Sequence, residues 1–430
     1  MLFKNIKLLD ENFIVKENMY LATDGEVISY IGDTEPEGKQ EEVYDGRGKF
    51  LMPAFYNTHC HVPMTLLRGY GEGLPLQRWL NERIYPFEAK FSGEYKYWGA
   101  KLGALELMKS GCVSISDMYF NLVEYGSGIY EAGMKANLSN CIVTFDPDKS
   151  YFDDSSYIDT AELLDWLKDY DDGRIKADAS VHAEYTTQDK SNLEAIGFAL
   201  ENNMIMHVHV SETESEHQEA KKRRGGLTPV QYFDSLGAFK NPFIAAHCVW
   251  LEDEDVEILK KNGAYMSHNI SSNLKLGSGI APLKKYFNEG LNISIGTDGA
   301  SSNNNLNMME EIHLGAVVAR GASRDANAIS AVDYLKFATV NGAKAQGRED
   351  CGIIKEGNKA DFIVFDLDKE HMTPDYDTLA NIVFAAQSSD IWMTVCDGKV
   401  ICKDGKSLLI DEEETRAKAI ESFNKVCAQL

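Results

Sequence analysis

His59 and His61 flank Cys60 at the end of an apolar run, PAFYNTHCH, over 53–61. Residues two apart on a strand share a face, so both imidazoles point one way and the thiol the other. The same spacing recurs at His207 and His209, with Glu212 three residues beyond. His182, His247 and His268 stand near the ends of further apolar runs, and Asp298 sits in a Gly-Thr-Asp-Gly sequence that closes another. Imidazole and carboxylate without thiolate suit Zn²⁺ or Fe²⁺ better than Mg²⁺ or Ca²⁺. Such an ion brings the pKa of a bound water to about 7 and makes hydroxide available at neutral pH. Glu212 and His247 are then natural proton handlers beside that water. Position 182 holds no lysine that could bridge a second metal, so the pattern reads as mononuclear. Singly, each signal is weak. An isolated His-X-His on an apolar strand is more often structural, and one of His207 and His209 could be a packed core residue. A lone Asp after a strand is usually a cap or turn former. The shared location at strand ends is what points to chemistry.

Those ends need a scaffold that brings them together. Strand-like runs fall at 53–61, 112–120, 135–145, 175–185, 204–212, 242–250, 263–271 and 292–300. Helix-like segments lie between most of them, for example 93–110, 189–203 and 254–263. Strand–helix alternation sustained eight times predicts a parallel (β/α)8 barrel of TIM type, with an open doubly wound sheet as the alternative. In a barrel every strand end faces one mouth, where active sites sit. Residues 1–54 instead alternate in short segments punctuated by Asp-Gly and Gly-Asp, and 350–410 repeat the style, with Asp397-Gly398 and Asp404-Gly405 as hairpin turns. The expected organisation is a composite β-sandwich domain from 1–54 plus 350–410, a catalytic barrel over 55–349, and a C-terminal helix over 411–430.

The chain has 430 residues and a formal net charge of −24. Such a surface repels phosphate backbones and anionic headgroups, so neither nucleic acid nor membrane is an expected partner. The opening MLFKNIKLLDENF does not read as a secretory signal, and no run approaches the ~18 apolar residues of a membrane span. The eight cysteines form no CxxC, which fits reduced thiols and a cytoplasmic location. His182-Ala183-Glu184 matches half of a Cys-zinc deaminase signature, but the P-C-x-x-C half is missing. Gly69, Gly71 and Gly73 form GYGEG, which reads as a loop. No Walker A, HExxH or G-x-S-x-G sequence occurs. The acidic runs Glu252–Glu257 and Asp411–Glu414 read as solvated faces, and His217, His313 and His371 as surface or packing residues.

Longer segments carry a resemblance: PAFYNTHCHVPMTLLRGYGEGLPLQRWL, HVSETESE, AHCVWL, SHNISSNLKLGSGIAPL, GTDGASSNNNLNMMEE and ATVNGAKAQG followed by GNKADFIVFDLD. In this order they resemble the amidohydrolase superfamily, in the branch of S-adenosylhomocysteine/methylthioadenosine deaminases and triazine chlorohydrolases. The resemblance implies one divalent metal, zinc before iron, held by His59, His61, His209 and Asp298, with His207 structural. It implies that Glu212 protonates the ring nitrogen beside the attacked carbon, that His247 orients the water, and that Asp298 shuttles its proton. It puts Trp79, Glu88 and His182 on the adenine and ribose, and it implies a homo-oligomer. The reaction implied is hydrolytic deamination of an adenine nucleoside to a 6-oxopurine. Guanine or triazine chemistry is the alternative, and a non-catalytic barrel scaffold the remote one. One departure bears on the substrate. Relatives that take S-adenosylhomocysteine carry arginines after the third strand, whereas this chain has Asn140, then Asp146, Asp148, Asp153 and Asp154, and no arginine before Arg174. Neutral 5′-modified adenosines are therefore expected ahead of S-adenosylhomocysteine.

Overall fold

A computed structural model describes residues 1–38, 41–170 and 172–430. Eight parallel strand positions follow one another in the expected order: Phe55–Cys60, Cys112–Met118, Lys135–Ser139, a fourth in two pieces (Ile175–Ala177 and Ala179–Ala183), Met206–Val210, Phe243–His247, Tyr265–His268 and Asn292–Ile295. Nearly every residue in them is buried. Continuous apolar runs are what a parallel sheet covered on both faces requires. Helices separate the strands, among them Gly93–Lys109, Leu122–Glu131, Ser155–Trp166, Asp189–Glu201, Glu214–Arg223 and Asp253–Lys261. The fold is of TIM-barrel type.

The hydrogen-bonded ladder runs in two arcs. Ile175–Ala177 joins the third, second and first strands in a four-stranded sheet. Ala179–Ala183 joins the fifth to eighth strands, plus Cys141–Ile142, in a six-stranded sheet. The break falls at buried Asp178, whose carboxylate accepts from the Asn137 side chain at 3.0 and 3.2 Å. The first and eighth strand positions meet through a single parallel bridge, Cys60 to Asp298, where the Asp298 N–H donates to the His59 carbonyl at 2.9 Å. The eighth strand cannot lie flat there, because Asp298 has φ +59° and turns the chain away. Gly296 lets the two backbones approach: a Cβ on it would lie 2.9 Å from His59 Cβ and 2.6 Å from Ser267 Oγ.

Both ends of the chain enter one nine-stranded mixed sheet rather than two separately bonded layers. Lys49–Pro53 runs parallel to Leu2–Leu9 and antiparallel to Phe362–Asp366, which stitches the N- and C-terminal halves together. The hairpin turns fall where expected. Asp397 and Gly398 have φ +45° and +69°, and Asp404 and Gly405 have +51° and +70°, the signs that two-residue hairpin turns demand. The sheet carries its own buried cluster, including Phe3, Ile6, Leu51, Phe362, Val364 and Met393. Its far strand, Val27–Gly32, curls back: Ile28 N–H donates to Asn358 O at 2.9 Å and Gly357 N–H to Ile28 O at 2.8 Å.

The last helix, Glu412–Cys427, starts on Asp411, whose carboxylate accepts from the Glu413 and Glu414 N–H groups. Lys109 pairs with Glu412 at 2.7 Å and ties it to Gly93–Lys109. The acidic run at 252–257 corrects the sequence reading in part. Asp255 is fully buried, accepting from the Thr228 hydroxyl at 2.5 Å and the Glu252 N–H at 2.9 Å. No described helix is long and apolar enough to cross a membrane.

Candidate active site

The first strand delivers His59 and His61 to the same end of the fold as His209, His247 and Asp298. His61 Nε2 lies 3.2 Å from Asp298 Oδ1, His59 Nε2 3.5 Å from the same oxygen, and His209 Nε2 3.4 Å from His61 Nε2. Two overlapping sets have mutually close ligand atoms, within 4.8 Å: His59, His61 and His209, and His59, His247 and Asp298. Register explains the meeting. His209 is opposite Ala246 and Val210 is opposite His247, so the two neighbouring strands deliver their histidines one residue apart, while Asp298 follows the eighth strand and bridges to Cys60.

Each of these imidazoles is held by its Nδ1, which leaves Nε2 facing inward. His61 Nδ1 donates to Met118 O at 2.5 Å, His209 Nδ1 to His182 O at 2.8 Å and His247 Nδ1 to Asn273 Oδ1 at 2.8 Å. His59 Nδ1 meets His207 Nε2 at 2.9 Å. Such partners fix the tautomer and aim the ring, as around bound metals. Burial lowers the His59 pKa to about 3 and that of His209 well below its usual range, so both rings are neutral, the form that ligates. His59 Nε2 is buried without a hydrogen-bond partner among the described residues. An uncompensated buried nitrogen costs roughly 1–3 kcal/mol, and a cation at this point would satisfy it. The donor set therefore fits a divalent ion.

Asp298 is gripped on its other side, where Oδ2 accepts from Ser272 Oγ at 2.6 Å and Ser302 Oγ at 2.9 Å. Burial would raise its pKa, but His59 and His61 hold the carboxyl well below the carboxylate range. Ser211, His247 and Asp298 all adopt positive φ at strand ends, a local strain that clusters at functional sites. Glu212 accepts from Ser278 Oγ at 2.9 Å, and its Oε2 lies 3.8 Å from His247 Nε2. Burial raises its pKa, and the Asp298 charge adds to the rise against the opposing effect of His247. The shift favours the protonated form, the one that can act as an acid. Glu216 fixes the turn beneath it, its two oxygens accepting from the Ser211 and Glu212 N–H groups at 2.9 and 2.7 Å.

These groups open onto a cavity of about 360 Å³ that Trp79, Glu88 and His182 also line. Trp79 and Glu88 stand on consecutive helical turns, Leu76–Trp79, Leu80–Ile84 and Tyr85–Glu88. The GYGEG loop supports them, for a Cβ on Gly71 (φ +87°) would strike the Trp79 ring at 2.8 Å. Glu88 accepts from the Tyr119 hydroxyl at 2.8 Å, and burial pushes its carboxyl up to about 7. His182 packs 4.8 Å from the His209 ring. The structure thus brings the candidate ligands, acid/base groups and pocket residues to one cavity or its floor. It leaves His268 outside, buried and not lining the cavity. His217 is a packing residue, buried against Ser211 and Glu252. Ser272, Asn273, Ser278, Ser302 and Glu216 were not singled out from sequence. For Ser272, Asn273 and Glu216 the signal is the polar density of SHNISSN and SETESE beside apolar runs, and for Ser278 and Ser302 their place in the loops KLGSG and GASSNNN.

Comparison with known proteins agrees with the geometry. Over 428 residues the chain is 37% identical to a 5-methylthioadenosine/S-adenosylhomocysteine deaminase of Dictyoglomus thermophilum, covering 99% of each chain. It is 36% identical to a 5′-deoxyadenosine deaminase of Methanocaldococcus jannaschii, covering 97% of this chain and 98% of that protein. The crystal structure of a Xanthomonas campestris adenosine deaminase with bound zinc superposes with a TM-score of 0.93 at 28% identity, covering 99% and 98%. The amidohydrolase family model matches residues 50–401, and the chain belongs to the amidohydrolase family.

Proposed function

We propose that this chain is a metal-dependent hydrolytic deaminase of an adenine nucleoside, acting on 5′-methylthioadenosine, 5′-deoxyadenosine, adenosine or a related 5′-modified adenosine. The observation that carries the reading is the single cavity whose floor holds Glu212, His247 and Asp298 and whose wall holds Trp79 and Glu88. The deaminase names of the relatives support it. His59, His61, His209 and Asp298 would hold one divalent ion, Zn²⁺ before Fe²⁺. Bound there, the ion supplies a water acidic enough to act as nucleophile near neutral pH.

The remaining work falls to side chains. Trp79 offers a stacking face to the purine, and Glu88 accepts from the ribose hydroxyls. Glu212 delivers a proton to the ring nitrogen next to C6, which makes that carbon electrophilic. His247, held by Asn273, orients the attacking water, and Asp298 takes its proton and passes it to the departing amine. Loss of ammonia leaves the 6-oxopurine. His182 contacts the bound nucleoside from the fourth strand.

We take residues 55–349 as the catalytic barrel, 1–54 with 350–410 as a composite β-sandwich, and 411–430 as the C-terminal helix. The separate buried cluster and the curl of Val27–Gly32 onto 357–360 support the sandwich. The single bridge at Cys60 and Asp298 supports closure of the barrel. A cytoplasmic homo-oligomer completes the proposal. The test is ammonia release by zinc-loaded protein from adenosine derivatives, guanine and melamine-type compounds. Adenosines should lead, and Glu212→Gln should lower kcat by about 10²–10⁴. Turnover of guanine or a triazine with none of any adenosine would overturn the assignment.

A further inference from the structure

The proposed deaminase reading leaves one end of the cavity unexplained, and the following rests on that reading. Past Glu88, on the side of the second and third strands, the lining includes Asn121, Asn140, Asp154 and Asp159. Asp159 Oδ2 accepts from the Asn121 N–H and the Asn140 side chain, both at 2.7 Å. Among the described residues nothing donates to its Oδ1. Asp154 caps the helix Ser155–Trp166 through Oδ1, which accepts from Ser156 N–H at 3.0 Å and Ser156 Oγ at 2.9 Å. Among the described residues the one cationic group paired with its Oδ2 is Lys149 Nζ, at 3.9 Å. Of the four acids after Asn140 in the sequence reading, Asp154 alone lines the cavity, and Asp159 joins it from the helix behind.

Among the described residues no lysine or arginine lines this cavity. Buried Lys96 stands behind the wall, donating to Asn121 Oδ1 at 2.5 Å and sitting 3.8 Å over the Phe120 ring, and does not itself line the cavity. At the place beyond the ribose the lining therefore offers two carboxylates, with Asp159 Oδ1 free of donors among the described residues and Asp154 Oδ2 facing only the distant Lys149 ammonium, at 3.9 Å. A ligand carboxylate there would be buried against two like charges, whereas an ammonium or other donor group would find two charged acceptors.

We propose that Asp154 and Asp159 select the 5′ substituent of the nucleoside by charge, admitting a cationic or hydrogen-bond-donating tail and refusing a carboxylate. The test compares kcat/KM for three matched substrates on the zinc-loaded full chain: 5′-amino-5′-deoxyadenosine, 5′-methylthioadenosine and adenosine-5′-carboxylate. The expected order is amine, thioether, carboxylate. In the double variant Asp154→Asn with Asp159→Asn, the amine-to-carboxylate ratio should fall by about tenfold or more, the change a lost charge-assisted hydrogen bond produces. Asparagine at 154 still caps the helix. The readout is a ratio, so damage to the fold lowers all three rates and leaves it unmoved. An unmoved ratio, or a wild type that favours the carboxylate, overturns the proposal while the deaminase assignment stands. Failure to deaminate any of the three overturns the deaminase reading and this one with it.

Discussion

Replacing Glu88 by glutamine separates nucleoside recognition from ring chemistry and leaves a mark on stability as well. Burial lifts the Glu88 carboxyl from its ordinary 4.5 to about 7, against the Tyr119 hydroxyl that favours the charged form. For a carboxyl with a raised folded-state pKa, the contribution to stability is fully present below about 4.5 and is lost as pH rises through about 7. At 1.36 kcal/mol per unit the full cost above pH 7 is at most about 3 kcal/mol. The carboxyl's partial exposure to the cavity reduces this to about 1 kcal/mol. Glu88→Gln should therefore melt higher than wild type at pH 8.5, by about 2 °C for a chain of this size, with the gap closing by pH 5. In the assay the sign reverses. Ionised Glu88 accepts from ribose hydroxyls, and a hydrogen bond to a charged group is worth about 1.5–3 kcal/mol. Glu88→Gln should thus cut kcat/KM for a nucleoside roughly 10- to 100-fold through KM, and leave free adenine nearly untouched. The wild-type nucleoside kcat/KM should carry a limb rising with pH through about 7 that the variant lacks. Equal losses on nucleoside and free base, or a variant no more stable than wild type at pH 8.5, would refute the assignment of Glu88 to the ribose.

His207→Phe removes the partner of His59 Nδ1 and should weaken zinc binding about 10- to 100-fold, read by competition with a chelating dye; unchanged affinity would make His207 a packing residue only. Gly296→Ala forces a methyl against His59 and Ser267 and should cost about 1–3 kcal/mol in urea unfolding, with wild-type stability as the contrary result.

Much of the site was legible because its determinants are local. His-X-His on a strand fixes which side chains share a face, and a strand that ends in a parallel barrel fixes which mouth they reach. The helices at 93–110, 189–203 and 254–263 appeared within two residues of their predicted ends. The Asp-Gly turns were equally plain, because positive φ at both positions suits few other pairs. What the linear pattern does not encode is which polar residue closes on which. Ser278 reaches Glu212 across 66 positions, and His207 reaches His59 across 148. Asp159 carries no mark in the linear pattern, and the fold turns it toward Asn121 and Asn140. Sequence alone determined the chemical types and the strand ends that carry them. Only the tertiary structure decided the partners, the reach of the cavity and the charge at its far end, because those depend on distances between segments whose separation along the chain sets no distance in space.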